Sequence, residues 1–144
     1  DNSRRKGSKM NIAVVDGMGG GIGSQIISLL RQDLPSHVRI YALGTNSAAT
    51  SNMMKEKASK GATGENAIAF CVKKVDVIIG SMGIVIPNSM LGEITPGIAK
   101  AIASCDAKKI LIPILDNEDI VLIGQEKKPL FLAIKDAIEQ IGKL

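Results

Sequence analysis

The stretch "MNIAVVDGMGGGIGSQIISLLRQDL", Met10 to Leu34, decides how the chain folds. A β-branched apolar run ends at Asp16 and meets glycines at 17, 19, 20, 21 and 23; Ile26, Ile27, Leu29, Leu30 and Leu34 then fall on one helical face. Pro35 lies just beyond that face and stops the helix. Glycine loses more backbone freedom on folding than alanine, so a cluster this dense needs a geometric reason. Either the chain turns where side chains do not fit, or something binds against its backbone.

Working outward, "VRIYALG" supplies a second strand, so Met10 to Gly44 reads as a β-α-β unit. "NSAATSNMMKEKASKG" reads as a helix closed by Gly61, and "TGENAIAFCVKK" as a helix with Thr63 as its N-cap and Asn66 at the third helical position. "VDVIIGS" is the third expected strand. Thr95 followed by Pro96 starts a further helix, because proline at the first helical position loses no intrahelical hydrogen bond. "KKILIPI" and "IVLIGQ" read as two more strands, and "LFLAIKDAIEQIGKL" as a terminal amphipathic helix. Alternation of this kind implies an α/β fold: a three-layer Rossmann-like domain with a mainly parallel sheet.

Composition bounds the function. The 144 residues correspond to one ordinary domain, expected over residues 10–144, and 45% of them are apolar but only 2% aromatic. Tyr41, Phe70 and Phe131 are the only rings, too few for base stacking, which speaks against a nucleic-acid partner. The net charge of +4 falls to +1 once Asp1, Arg4, Arg5, Lys6 and Lys9 are set aside, and residues 1–9 read as a tag or disordered extension. Cys71 and Cys105 have no metal-ligand spacing and no disulfide pattern, so no metal site is expected and a reducing cytoplasm is the simplest location. No apolar run reaches membrane-spanning length.

In a doubly wound sheet, ligands sit at the carboxyl ends of the strands near the switch point, where the first β-α turn lies. Gly17, Met18, Gly19, Gly20, Gly21, Ile22 and Gly23 occupy that turn, and the following helix presents its positive end to a phosphate. Thr45, Asn46 and Ser47, after the second strand, stand where an adenosine ribose is usually held; helix capping explains them equally well. Asp16 suits a capping or turn role. The loop "GIVIPNSMLGEIT", containing Asn88, Ser89 and Glu93, is unusually apolar for a connection, so Ile84, Val85, Ile86, Met90 and Leu91 are expected to line a pocket or meet a second subunit.

The spacing Gly17-x-x-x-Gly21-Ile22-Gly23 resembles the cofactor loop of short-chain dehydrogenases, and "DVIIGSMGI" resembles a second segment of theirs, which adds Ser81, Met82 and Gly83 as expected cofactor contacts. The resemblance implies NADP or NAD. It stops short of the chemistry, since Tyr41 is followed four residues later by Thr45 and no Tyr-x-x-x-Lys pair exists. Across nearly the whole chain, the segments "MNIAVVDGMGGGIG", "ALGTN", "GATGEN", "NSMLGEIT" and "KKILIP" resemble a family of short bacterial proteins, found especially in Firmicutes, classed as a domain of unknown function. These features lead to an expected nucleotide-binding protein, a sensor or regulatory subunit that is also a homo-oligomer. Two alternatives stay open: a small oxidoreductase or transferase whose site a second subunit completes, and a ligand-free oligomerisation module.

Overall fold

The computed structural model describes residues 10–144; the expected extension at residues 1–9 lies outside them. Five strands form one sheet: β1 (Asn11–Asp16), β2 (Arg39–Gly44), β3 (Lys60–Thr63), β4 (Val77–Ser81) and β5 (Lys108–Ile112). Their order is β3-β2-β1-β4-β5 and every pairing is parallel. Helices α1 (Gly21–Asp33), α2 (Ser47–Met54), α3 (Glu65–Cys71), α4 (Pro96–Ser104) and α5 (Leu130–Gly142) complete a Rossmann-like three-layer α/β fold.

The alternation of side chains along β1 assigns the layers. Ile12 and Val14 join Ile26, Ile27 and Leu30 of α1, Met53 of α2 and Ile134 of α5 in one buried cluster. Ala13 and Val15 face the other way, onto Ile68 of α3 and Ile98 and Ile102 of α4. Burying each such side chain stabilises by about 1.5–3 kcal/mol, so a central strand buried on both faces anchors both layers. The chain winds from β1 through β2 to β3, then returns across β1 to β4 and β5. The carboxyl ends of β1 and β4 therefore diverge into a crevice, and the glycine turn sits at its edge.

Three local expectations are corrected. Gly61 does not close a helix; it lies in β3, where a Cβ would stand 2.9 Å from the Thr50 Cγ2 and 3.0 Å from the Met54 Sδ of α2. Thr63 is not an N-cap, because α3 begins at Glu65 after Gly64, whose φ of 99° suits glycine, and the Thr63 hydroxyl lies 2.7 Å from that of Thr50. The run "IVLIGQ" forms no strand between Asn117 and Gln125. Thr95 and Pro96 start α4 as expected, with the Thr95 hydroxyl accepting from the Ile98 N–H at 3.1 Å.

Candidate functional site

Asp16 ends the central strand and organises the turn that follows. Its buried carboxylate accepts from the Gly17 N–H at 2.8 Å and from the Gly23 N–H at 2.7 Å, tying the strand end to the first turn of α1. Burial pushes its pKa above the ordinary 3.8; the two N–H groups pull it back, and the charge of Glu93 adds to the rise. Asp16 thus takes the turn role expected of it.

The glycines divide into two kinds. Gly20 has φ 74°, and a Cβ there would stand 2.8 Å from the Ala49 carbonyl oxygen; at Gly23 a Cβ would stand 2.9 Å from the Asp16 Cβ and overlap the Met53 sulfur. The fold itself requires both. Gly19 and Gly21 have neither a positive φ nor any atom within 4 Å of a Cβ position, so the packing does not account for them. The N–H groups of Gly19, Gly21 and Ile22 have no acceptor among the described residues. All three residues line one cavity.

That cavity, of about 340 Å³, opens between the glycine turn and the ends of β4 and β5. Of the residues expected to contact a cofactor, Gly17–Ile22, Ser81 and Gly83 line it, whereas Gly23, Met82, Thr45, Asn46 and Ser47 do not. Ile22, Met90 and Ile114 make its apolar walls, and Asp116 stands among its lining residues. Ser81 is 5% exposed, and its hydroxyl has no partner among the described residues. Ser89 is 1% exposed with an unpartnered hydroxyl, and both oxygens would lie 3.4 Å from a Cβ placed on Gly83. The Ser89 oxygen is sealed from solvent whereas that of Ser81 is not, so Ser81 can offer a hydrogen bond into the cavity.

The β2 side of the turn is occupied by Glu93. Its Oε1 accepts from the Thr45 hydroxyl at 2.6 Å, the Asn46 side-chain amide at 2.8 Å and the Met18 N–H at 2.8 Å. These bonds, the Thr45 one foremost, hold its pKa below the ordinary 4.5 against a smaller opposing effect of burial. Asn46 also donates to the Met18 carbonyl at 2.9 Å and caps α2 by accepting from the Ala49 N–H at 2.9 Å. Asn52 holds the Gly19 carbonyl at 2.8 Å. The structure therefore places Thr45 and Asn46 against Glu93 rather than in the cavity, with Ser47 exposed at the start of α2.

Glu93 reaches this position through a contorted loop. Asn88, Met90 and Leu91 have φ of 70°, 57° and 56°, a left-handed conformation that costs an L-residue roughly 1–2 kcal/mol. Bonds from the Asn88 N–H to the Ile94 carbonyl at 2.7 Å and from the Ile94 N–H to the Ser89 carbonyl at 3.1 Å hold it. The loop is apolar because it packs inward: Ile84 and Met90 are buried in the chain's own core, so neither is available to a second subunit. Leu91 alone of the five apolar residues stands out, at 89% exposed.

Elsewhere, Glu65 accepts from the Thr95 hydroxyl and packs against Gly97 at the start of α4, a structural use of the carboxylate in "GATGEN". His37 is exposed in a turn, and Cys71 and Cys105 are free and half-buried. Among the described residues no group of three His, Cys, Asp or Glu side chains is placed to hold a metal ion, and no helix is long and apolar enough to cross a membrane. Ile114 and Asp116 had no signal in the sequence beyond following a strand at the carboxyl edge of the sheet, where loops generally carry the ligand contacts.

A family model described as a domain of unknown function (DUF3842) matches residues 11–144. The chain belongs to that family. No curated protein matches it. The DUF3842 match begins at the first residue of β1 and covers the glycine turn, the Glu93 loop and the walls of the cavity, so the whole site lies within the family's domain.

Proposed function

We propose that this DUF3842 chain binds a nucleotide, with a phosphate on the N–H groups of Gly19, Gly21 and Ile22. The observation that carries this reading is that these three N–H groups, at the positive end of a 13-residue helix, have no acceptor among the described residues, and that all three residues line a cavity at the switch point of a parallel sheet. The unpartnered Ser81 hydroxyl, on a residue only 5% exposed that also lines the cavity, supports it independently. NAD and NADP, implied by the dehydrogenase-like glycine spacing, are among the first ligands to test.

The titratable side chains lining the cavity are Asp16 and Asp116, and Asp16 is committed to two backbone donors. Tyr41 packs in the core cluster on the α3 and α4 face and is not part of the lining. The lining therefore has no phenol, imidazole or amine, the kind of proton donor that the Tyr-x-x-x-Lys pair of short-chain dehydrogenases supplies to a carbonyl. Ligand sensing or a regulatory subunit role fits this lining better than an oxidoreductase.

Calorimetry with NAD, NADP, ATP, GTP and coenzyme A tests the reading. Because the Cβ position at Gly21 is open, Gly21→Val should fold as the unmodified protein does while placing bulk beside the donors. Binding should weaken at least tenfold, equivalent to about 1.4 kcal/mol. Failure of every nucleotide to bind the unmodified protein would remove the basis of the proposal.

A further inference from the structure

We infer that the site is one-sided: it takes a ligand with a single nucleoside, a nucleoside 5′-monophosphate, and Glu93 closes the half that the second nucleoside of a dinucleotide would need. The inference rests on the nucleotide reading above and narrows it. A dinucleotide in a doubly wound sheet lies across the crevice, with its two nucleosides on opposite sides of the glycine turn. Here the β4 side is open and the β2 side is filled. Thr45, Asn46 and the Met18 N–H, the donors a ribose on that side would meet, all converge on the Oε1 of Glu93. To enter, a ribose would have to replace three bonds to a charged acceptor with bonds to neutral hydroxyls, which are weaker.

The open side matches one nucleoside in size and chemistry. A cavity of about 340 Å³ lies near the lower end of small-molecule sites, which span roughly 300–1,000 Å³. Ile22, Met90 and Ile114 offer apolar faces to a flat base. The free N–H groups and the Ser81 hydroxyl offer hydrogen bonds to a phosphate, and Asp116, held only by a long 3.4 Å bond from the Met90 N–H, has acceptor capacity left for ribose hydroxyls. Glu93 is a positioning residue in this account: it fixes Met18, and with it the turn, while excluding the second nucleoside.

Calorimetry with AMP, GMP, CMP, UMP and NAD separates the possibilities. At least one monophosphate should bind the unmodified protein tenfold or more tightly than NAD. In Glu93→Ala that preference should shrink, since the closed half opens; in Glu93→Gln, whose side-chain carbonyl can accept the same three bonds, it should persist. NAD binding as tightly as every monophosphate would overturn one-sidedness while leaving nucleotide binding intact. A preference unchanged in a folded Glu93→Ala variant would overturn the role of Glu93. Absence of binding by all five compounds would overturn the monophosphate assignment; only if NADP, ATP, GTP and coenzyme A also failed would the nucleotide reading fall with it. The comparison on the unmodified protein decides one-sidedness even if the alanine variant does not fold.

Discussion

Asp16 shows how much a single residue can hold in this turn. Its two carboxylate oxygens serve N–H groups six residues apart, and an asparagine in the same place has only one oxygen to offer. Asp16→Asn should leave one buried donor facing another and lower stability by roughly 1–3 kcal/mol, read as a lower urea midpoint with an unchanged slope; an unchanged midpoint would show that the second bond contributes nothing. Glu93 makes a second residue-scale prediction. Its folded pKa is lowered, so its bonds add stability that is present above the unfolded value near 4.5 and is lost as pH falls through the lowered folded value. Asp16 has the opposite sign, since burial raises its pKa. Urea titrations between neutral and acid pH should therefore show Glu93→Gln losing less stability on acidification than the unmodified protein; parallel curves would contradict this. The glycine cluster was legible in the sequence as a turn, but not which glycines the fold requires. The positive φ of Gly20 and the neighbours of Gly20 and Gly23, chiefly Ala49 and Met53 from a helix far along the chain, distinguish them from Gly19 and Gly21.

At the scale of elements, the sequence disclosed those whose apolar residues repeat over several turns or a buried strand. β1, β2, β4, α1, α4 and α5 have that periodicity, and α4 has its cap as well. β3 was missed because it is a short edge strand: Lys60, Gly61 and Thr63 are exposed, so the alternation that marks a half-buried strand is missing. The run after Asn117 misled in the other direction, since Ile120, Val121, Leu122 and Ile123 carry strand propensity without a strand beside them to pair with. The Glu93 loop was legible as unusual but not as part of the site, because its effect comes from three left-handed residues that no local pattern announces. Leu91 gives a test of that strain. It has φ 56° and is 89% exposed, so Leu91→Asn removes little burial and introduces a residue that tolerates this conformation. Stability should rise by about 1 kcal/mol, seen as a higher melting temperature. A fall would mean that Leu91 makes contacts with another molecule.

On the scale of the whole molecule, exposed apolar side chains occur in the segment that follows β5 and at the start of α5 as well as at Met18 and Leu91. Val121 is 75% and Ile123 88% exposed, Phe131 and Leu132 at the start of α5 are about half exposed, and β5 pairs only with β4 among the described strands. Beside β5 a groove of about 260 Å³ runs between Ile110, Ile112 and Pro113 on one side and Ala133 and Ala137 of α5 on the other. Apolar burial stabilises by about 25 cal/mol per Å², but a stable interface covers roughly 800 Å² per partner, so the exposed side chains need the groove and the strand edge as well. We propose that, of the two faces, a homo-oligomer would use the β5 side rather than the 84–91 loop, whose Ile84 and Met90 are already buried. Sedimentation velocity at micromolar concentration should show a dimer for the unmodified protein and a monomer for a Val121→Lys, Ile123→Lys double variant. Because neither residue lines the cavity, the variant should keep its affinity for whichever nucleotide binds, which separates lost assembly from lost folding. A monomer in both samples would refute association through this face, and a dimer in both would move the interface elsewhere.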